Sequence, residues 1–216
     1  MRLLVVLVLI EVAAACPSAS AQEPPPRLPI VVVDLHGTVP NFSDDPRLAA
    51  SRGLSQAQLP GLGIGGAVGA HVYPFRWRAV TFGIGGQLTV ARARQSPAAS
   101  GQTPALAPVT ARFRSIAPEV SFNFGTGDGW SYLSGGLSTS TWSIVPDGAA
   151  SVPGDDEALK TINYGGGARW FAKPHLAFSF DVRFYAISPG TSNGSPSGTG
   201  SPRTTMVIVG AGVSLK

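Results

Sequence analysis

The chain has 216 residues with a formal net charge of +4, and only 13% of them are charged, against about 25% in an ordinary soluble protein. So low a charge density argues against a chain that stays in solution behind a charged surface, and the scattered basic excess leaves no nucleic-acid footprint. After the first residues no apolar run reaches the roughly 18 residues that a membrane-spanning helix needs.

The N-terminus reads as an export signal. Arg2 supplies a positive start, and Leu3 to Ile10 form an apolar run too short to span a bilayer. Ala19-Ser20-Ala21 then gives a small-residue cleavage site before Gln22. Cys16 raises the rival reading of a lipoprotein signal, but Ala13 stands where such signals usually carry Leu. With cleavage after Ala21 the mature chain has no cysteine, which removes disulfide and thiol chemistry. The expected organisation is a signal peptide over 1–21, a periplasmic arm over 22–29, and one domain over 30–216.

From Ile30 onward the sequence alternates apolar and small or polar residues in eight segments. Segment one (30–39) sets Val31, Val33, Leu35 and Val39 against Asp34, His36 and Thr38, and a long polar junction with Asp44, Asp45 and Pro46 follows. Segment two (61–73) places Leu62, Ile64, Val68 and Val72 opposite Gly63, Gly65 and His71, and Pro74 to Trp77 is expected as a short turn. In segment three (78–94) Val80, Phe82, Ile84, Leu88 and Val90 oppose Thr81, Gly83, Gly85, Gln87 and Thr89. An Ala/Pro/Ser junction over 95–108 leads to segment four (110–124), with Ile116, Val120, Phe122 and Phe124 against Ser115, Glu119, Ser121 and Asn123.

A glycine-rich turn over 125–129 opens segment five (130–145). Its facing is ambiguous, because Leu133 and Leu137 share one parity and Trp130, Tyr132 and Trp142 the other. An acidic junction with Asp147, Asp155, Asp156 and Glu157 precedes segment six (159–171), where Ile162, Tyr164, Ala168 and Trp170 face away from Asn163, Gly165, Gly167 and Arg169. After the turn Ala172-Lys173-Pro174, segment seven (175–187) aligns Leu176, Phe178, Phe180, Val182 and Phe184 against Ser179, Asp181, Arg183 and Tyr185. A Gly/Ser/Pro junction over 188–202 leads to segment eight (203–215), with Val207, Val209, Ala211, Val213 and Leu215 on one face.

The junctions alternate long and short, so every short turn falls on one side and every long loop on the other. That sorting fits an eight-stranded, antiparallel, up-and-down transmembrane β-barrel. In hydrocarbon each backbone N–H and C=O must be paired, and strands achieve this only by closing. Eight strands leave an interior just wide enough to fill with side chains. The inward glycines are expected to make room for larger neighbours such as Arg169 and Arg183.

The layout, the signal peptide and aromatic residues near segment ends (Tyr73, Trp77, Trp130, Tyr132, Trp142, Trp170) together resemble the small OmpA-type outer-membrane barrel family. The resemblance covers the whole mature chain and implies an outer-membrane location, with these aromatics as interfacial girdles. It also implies contacts with outer-membrane lipid and lipopolysaccharide, with the barrel assembly machinery and with a surface ligand. Such barrels typically end in an aromatic residue that the machinery reads. This chain ends Ser214-Leu215-Lys216, which implies a divergent insertion signal.

Five charges share the inward parity: Asp34, Glu119, Arg169, Asp181 and Arg183. Buried charges must be paired, so these residues read as a salt-bridge plug that closes the lumen, or alternatively as a gated ion path. His36, His71 and His175 show no zinc-ligand spacing, and no cofactor motif is present. No His-x-Ser stands on a strand as a lipid deacylase needs, and no histidine accompanies the acidic residues of the outer loops (Asp44, Asp45, Asp155, Asp156, Glu157) as an outer-rim protease needs. Those acids read as solvated loops, bridged through divalent cations to lipopolysaccharide phosphates. The expected role is non-enzymatic: a structural or surface-interaction barrel whose loops contact ligands. A narrow channel for small or apolar solutes, an outer-membrane hydrolase and a lipocalin-like soluble carrier are the alternatives.

Overall fold

The computed structural model describes residues 28–98, 106–126, 128–192 and 197–216. The expected signal peptide, Cys16 and positions 22–27 of the arm lie outside the described residues. Eight strands follow in chain order: β1 (Val31–Asn41), β2 (Ile64–Trp77), β3 (Val80–Gln95), β4 (Val109–Thr126), β5 (Gly129–Pro146), β6 (Leu159–Lys173), β7 (Leu176–Ile187) and β8 (Thr204–Leu215). Each pairs antiparallel with its neighbours in sequence, and β1 pairs with β8 from Val33↔Leu215 to Asn41↔Val207, so the sheet is a closed barrel. Closure removes both sheet edges.

The facing follows side-chain chemistry. Residues such as Leu35, Val68, Ile84, Ile116, Val120, Leu133, Leu137, Ile162, Phe178 and Phe180 are exposed on the outer wall. Asp34, His71, Glu119, Asn163, Arg169 and Arg183 are buried inside. An apolar exterior around a polar interior is the reverse of a soluble barrel, and it fits a wall solvated by lipid. No helix of the described residues is long and apolar enough to cross a membrane.

Two boundaries differ from the sequence pattern. Strand β2 continues through Pro74–Trp77, where a turn is expected, and the reversal comes at Arg78–Ala79. The register shifts between Val72 and Phe75, so Pro74 sits in a bulge, where its missing N–H costs no ladder bond. The first long junction is also ordered: it contains a short helix α1 (Pro46–Ser51) and a 3-10 turn (Gln56–Gln58). Asp45 caps α1 by accepting from the Arg47 backbone N–H at 2.8 Å, and Pro46 fits the first helical turn. The Arg47 side chain also bonds this carboxylate, which holds Asp45 below the usual aspartate range.

Candidate functional site: the filled lumen

The barrel interior has three layers. At the short-turn end Leu28, Val32, Tyr73 and Trp130 are packed together, with Phe171 against them. Trp130 stacks on Phe171 with ring centroids 5.2 Å apart and meets Tyr73 edge-on at 6.2 Å. Leu28, from the end of the arm, therefore enters the barrel and helps close it. At the loop end Phe42, Leu48, Ala49 and Leu59 of the first loop pack onto Phe113, Trp142, Ile144, Ile187, Met206 and Ile208 of the strands. Helix α1 lies over this mouth as a cap. Beside Leu48 and Arg52 a crevice lined by Trp142, Leu159 and Ile187 has a volume of about 10 Å³, no more than a single water occupies.

Between these apolar layers lies the charged one. Arg169 bonds Asp34 bidentately, Nε to Oδ1 at 2.9 Å and Nη2 to Oδ2 at 2.6 Å, and the Ser214 hydroxyl donates to the same carboxylate. The Arg169 guanidinium also lies over the Tyr132 ring, 4.1 Å from its centroid. Arg183 reaches three partners: Glu119 at 2.7 Å, Asp181 at 3.1 and 3.2 Å, and the Ser134 hydroxyl at 3.0 Å. Tyr132 donates to Asp181 at 2.7 Å, and Asn163 donates to Glu119. His71 stands between the two clusters, Nδ1 3.8 Å from Asp34 and Nε2 3.7 Å from Glu119. Fork-shaped guanidinium–carboxylate pairing of this kind fixes geometry as well as charge.

All five expected lumen charges are therefore buried and meet in one layer. Sequence reasoning missed their neutral partners Tyr132, Asn163, Ser134 and Ser214. It also missed the pairing of His36 on β1 with Ser179 on β7 over Gly212 of the intervening β8, Nε2 to Oγ at 2.7 Å, because a search for His-x-Ser along one strand does not see a residue two strands away. Both residues are buried.

Four of the six expected girdle aromatics face inward. Trp130, Tyr132 and Trp142 are 3–4% exposed and Tyr73 is 8% exposed, whereas Trp77 at 63% and Trp170 at 59% lie on the outer wall. The reason is parity. Leu133 and Leu137 take the lipid face of β5, and alternation then sends Trp130, Tyr132 and Trp142 into the lumen. At the inward glycines an added Cβ would first meet a neighbouring strand's backbone oxygen (Ala70 at Gly85, Val182 at Gly165, Phe180 at Gly167) or the Ser121 hydroxyl at Gly83, and at three of them an aromatic ring stands close behind. A Cβ on Gly83 would lie 2.9 Å from the Tyr73 ring, one on Gly85 2.5 Å from His71, and one on Gly167 2.7 Å from the Tyr132 hydroxyl.

The outer-loop acids divide as well. Asp44 and Asp156 are exposed, and Asp45 and Glu157 are partly so. Glu157 accepts from the Thr191 backbone N–H at 3.0 Å, joining two loops. Asp155 is not a solvated loop acid. It is buried, pairs with Arg52 at 2.9 Å, and accepts from the backbone N–H groups of Ile144 and Val152. Arg52 follows α1 directly, so this buried pair latches the cap to the loop between β5 and β6. Among the described residues no group of three or more His, Cys, Asp and Glu is placed to hold a metal ion.

No family model matches the sequence, and a search of curated proteins finds no match. Solved structures do resemble the fold. Neisserial surface protein A is 17% identical with a TM-score of 0.49, covering 86% of this chain and 95% of that one. Ail, the attachment invasion locus protein of Yersinia pestis, is 10% identical with a TM-score of 0.46, covering 86% of this chain and 97% of that one. The outer membrane protease OmpT from Escherichia coli is 8% identical with a TM-score of 0.38, covering 72% of this chain and 64% of that one. In strand number, order and closure, the fold is a closed, eight-stranded, antiparallel up-and-down barrel.

Proposed function

We propose that the protein is an outer-membrane barrel with a closed lumen, whose work is done by its outer surface and loops in a structural or adhesive role. The observation that carries this reading is the filling of the interior at three successive levels. Outer-membrane placement is supported by the apolar exterior and by the sorting of short turns to one end and long loops to the other. A non-enzymatic role is supported by the burial of the His36–Ser179 pair and of the lumen carboxylates away from any substrate. The loop carrying α1 and the loop between β7 and β8 offer the contact surface for a ligand outside the cell.

Conductance in planar bilayers tests this. The refolded protein is expected to give no stable single-channel steps. Regular steps whose ion selectivity changes in Asp181→Asn or Arg183→Gln would overturn the closed-lumen reading and establish a narrow channel.

A further inference from the structure

We propose that Arg92, Arg112 and Arg114 form a binding site for a phosphorylated lipid headgroup on the outer wall of the barrel. The inference rests on the outer-membrane reading and names a ligand for a surface that the closed lumen does not use.

The three arginines are exposed on the lipid-facing parity of β3 and β4, near the loop end. Arg92 lies directly opposite Arg112 in the ladder, and Arg114 lies opposite Val90, two residues back along β3. Like charges facing each other across a strand pair destabilise it. Nearby Arg94 is bonded to Asp147, whereas Arg92, Arg112 and Arg114 have no carboxylate partner among the described residues. The wall has therefore gathered three positive charges that repel one another and leave their donors open.

The surroundings specify the ligand. All three arginines line a cleft of about 640 Å³, and Arg92 and Arg112 also line an adjoining one of about 290 Å³ that shares Ser143 with it. Asp155 and Asp156 border the larger cleft, the first already engaged by Arg52. Ile64 flanks Arg92 on one side, and immediately toward the barrel's middle the same wall turns apolar, with exposed Val90, then Leu88 pairing Ile116 and Val68. A molecule that fits has a phosphate-bearing head for the guanidinium forks and acyl chains for the apolar wall below. A soluble phosphate matches the first feature and leaves the second unused. With the loops outside the cell, the patch lies at headgroup height in the outer leaflet, where a phosphorylated glycolipid supplies both parts.

Thermal unfolding of the detergent-refolded barrel, read by its heat-modifiable gel mobility, tests the site with lipid A as the probe. Saturating bisphosphorylated lipid A is expected to raise the midpoint by roughly 5–10 °C. Fully dephosphorylated lipid A and inorganic phosphate are expected to leave it unchanged. The Arg92→Gln/Arg112→Gln/Arg114→Gln variant is expected to refold and to lose the shift. Should that variant fail to refold, Arg114→Gln alone is expected to reduce the shift. An equal shift with dephosphorylated lipid, an equal shift with inorganic phosphate, or a full shift in the variants would each overturn the proposal. A wild-type chain with no heat-modifiable form in detergent would overturn the membrane reading and this site with it, an outcome distinct from a barrel that folds and ignores lipid A.

Discussion

Arg169 and Asp34 show what the lumen demands of single residues. Both are buried, so each charge is tolerable only because the other neutralises it. Removing one partner leaves the other stranded: Arg169→Met is expected to cost about 3–5 kcal/mol in urea unfolding of the bilayer-refolded barrel. The double variant Asp34→Leu/Arg169→Met removes both charges and is expected to recover most of that loss. If the two substitutions simply add, the pair is not coupled and the plug owes its stability to packing. The charged members of this layer were legible in the sequence because alternation fixes their parity. Their neutral partners were not. Tyr132 and Asn163 acquire their roles only through contacts with Asp181 and Glu119 on distant strands, and no local spacing encodes those contacts.

At the scale of the elements, the strands were readable and the loops were not. Alternation with period two is imposed by the pleat itself, so seven of the segments announced their outer face directly. Segment five offered leucines on one parity and large aromatics on the other, and both are apolar. The conflict resolves once the lumen is seen to have apolar ends, which take Trp130 and Trp142, and a charged middle that Tyr132 joins through its hydroxyl. The cap escaped notice because α1 is a single short helix whose hold on the barrel is tertiary. Leu48 and Ala49 sink into the outer mouth, and Arg52 latches to Asp155 beneath the surface. Arg52→Met is therefore expected to loosen the cap without opening the strands. Hydrogen exchange at the Leu48, Ala49 and Leu54 amides is expected to rise at least about tenfold, equivalent to ~1.4 kcal/mol of local stability, while the ladder amides stay protected. Unchanged protection in the loop would show that apolar contact alone seats the helix.

For the whole molecule, the arrangement inverts a soluble protein, and its four tryptophans report that inversion. Trp77 and Trp170 stand on the outer wall near the short-turn end, whereas Trp130 closes the lumen at that same end and Trp142 lies under the cap at the other. An indole at the wall meets acyl chains near the headgroups, as amphipathic rings do at a membrane interface. An indole in the lumen is separated from lipid by the thickness of the sheet. Four variants that each keep one tryptophan, the others replaced by Phe, separate these environments when refolded into bilayers with brominated acyl chains. Fluorescence of the Trp77-only and Trp170-only proteins is expected to be quenched strongly, and that of the Trp130-only and Trp142-only proteins weakly. Trp130 and Trp170 make the sharpest comparison, because Trp130 pairs with Arg169, the residue next to Trp170, and the two rings therefore sit at nearly the same depth. Depth cannot account for a difference between them, so it must come from which side of the sheet each ring occupies. Equal quenching of the two would place Trp130 in lipid, flip the facing of β5, and with it remove Tyr132 from the charged layer of the lumen.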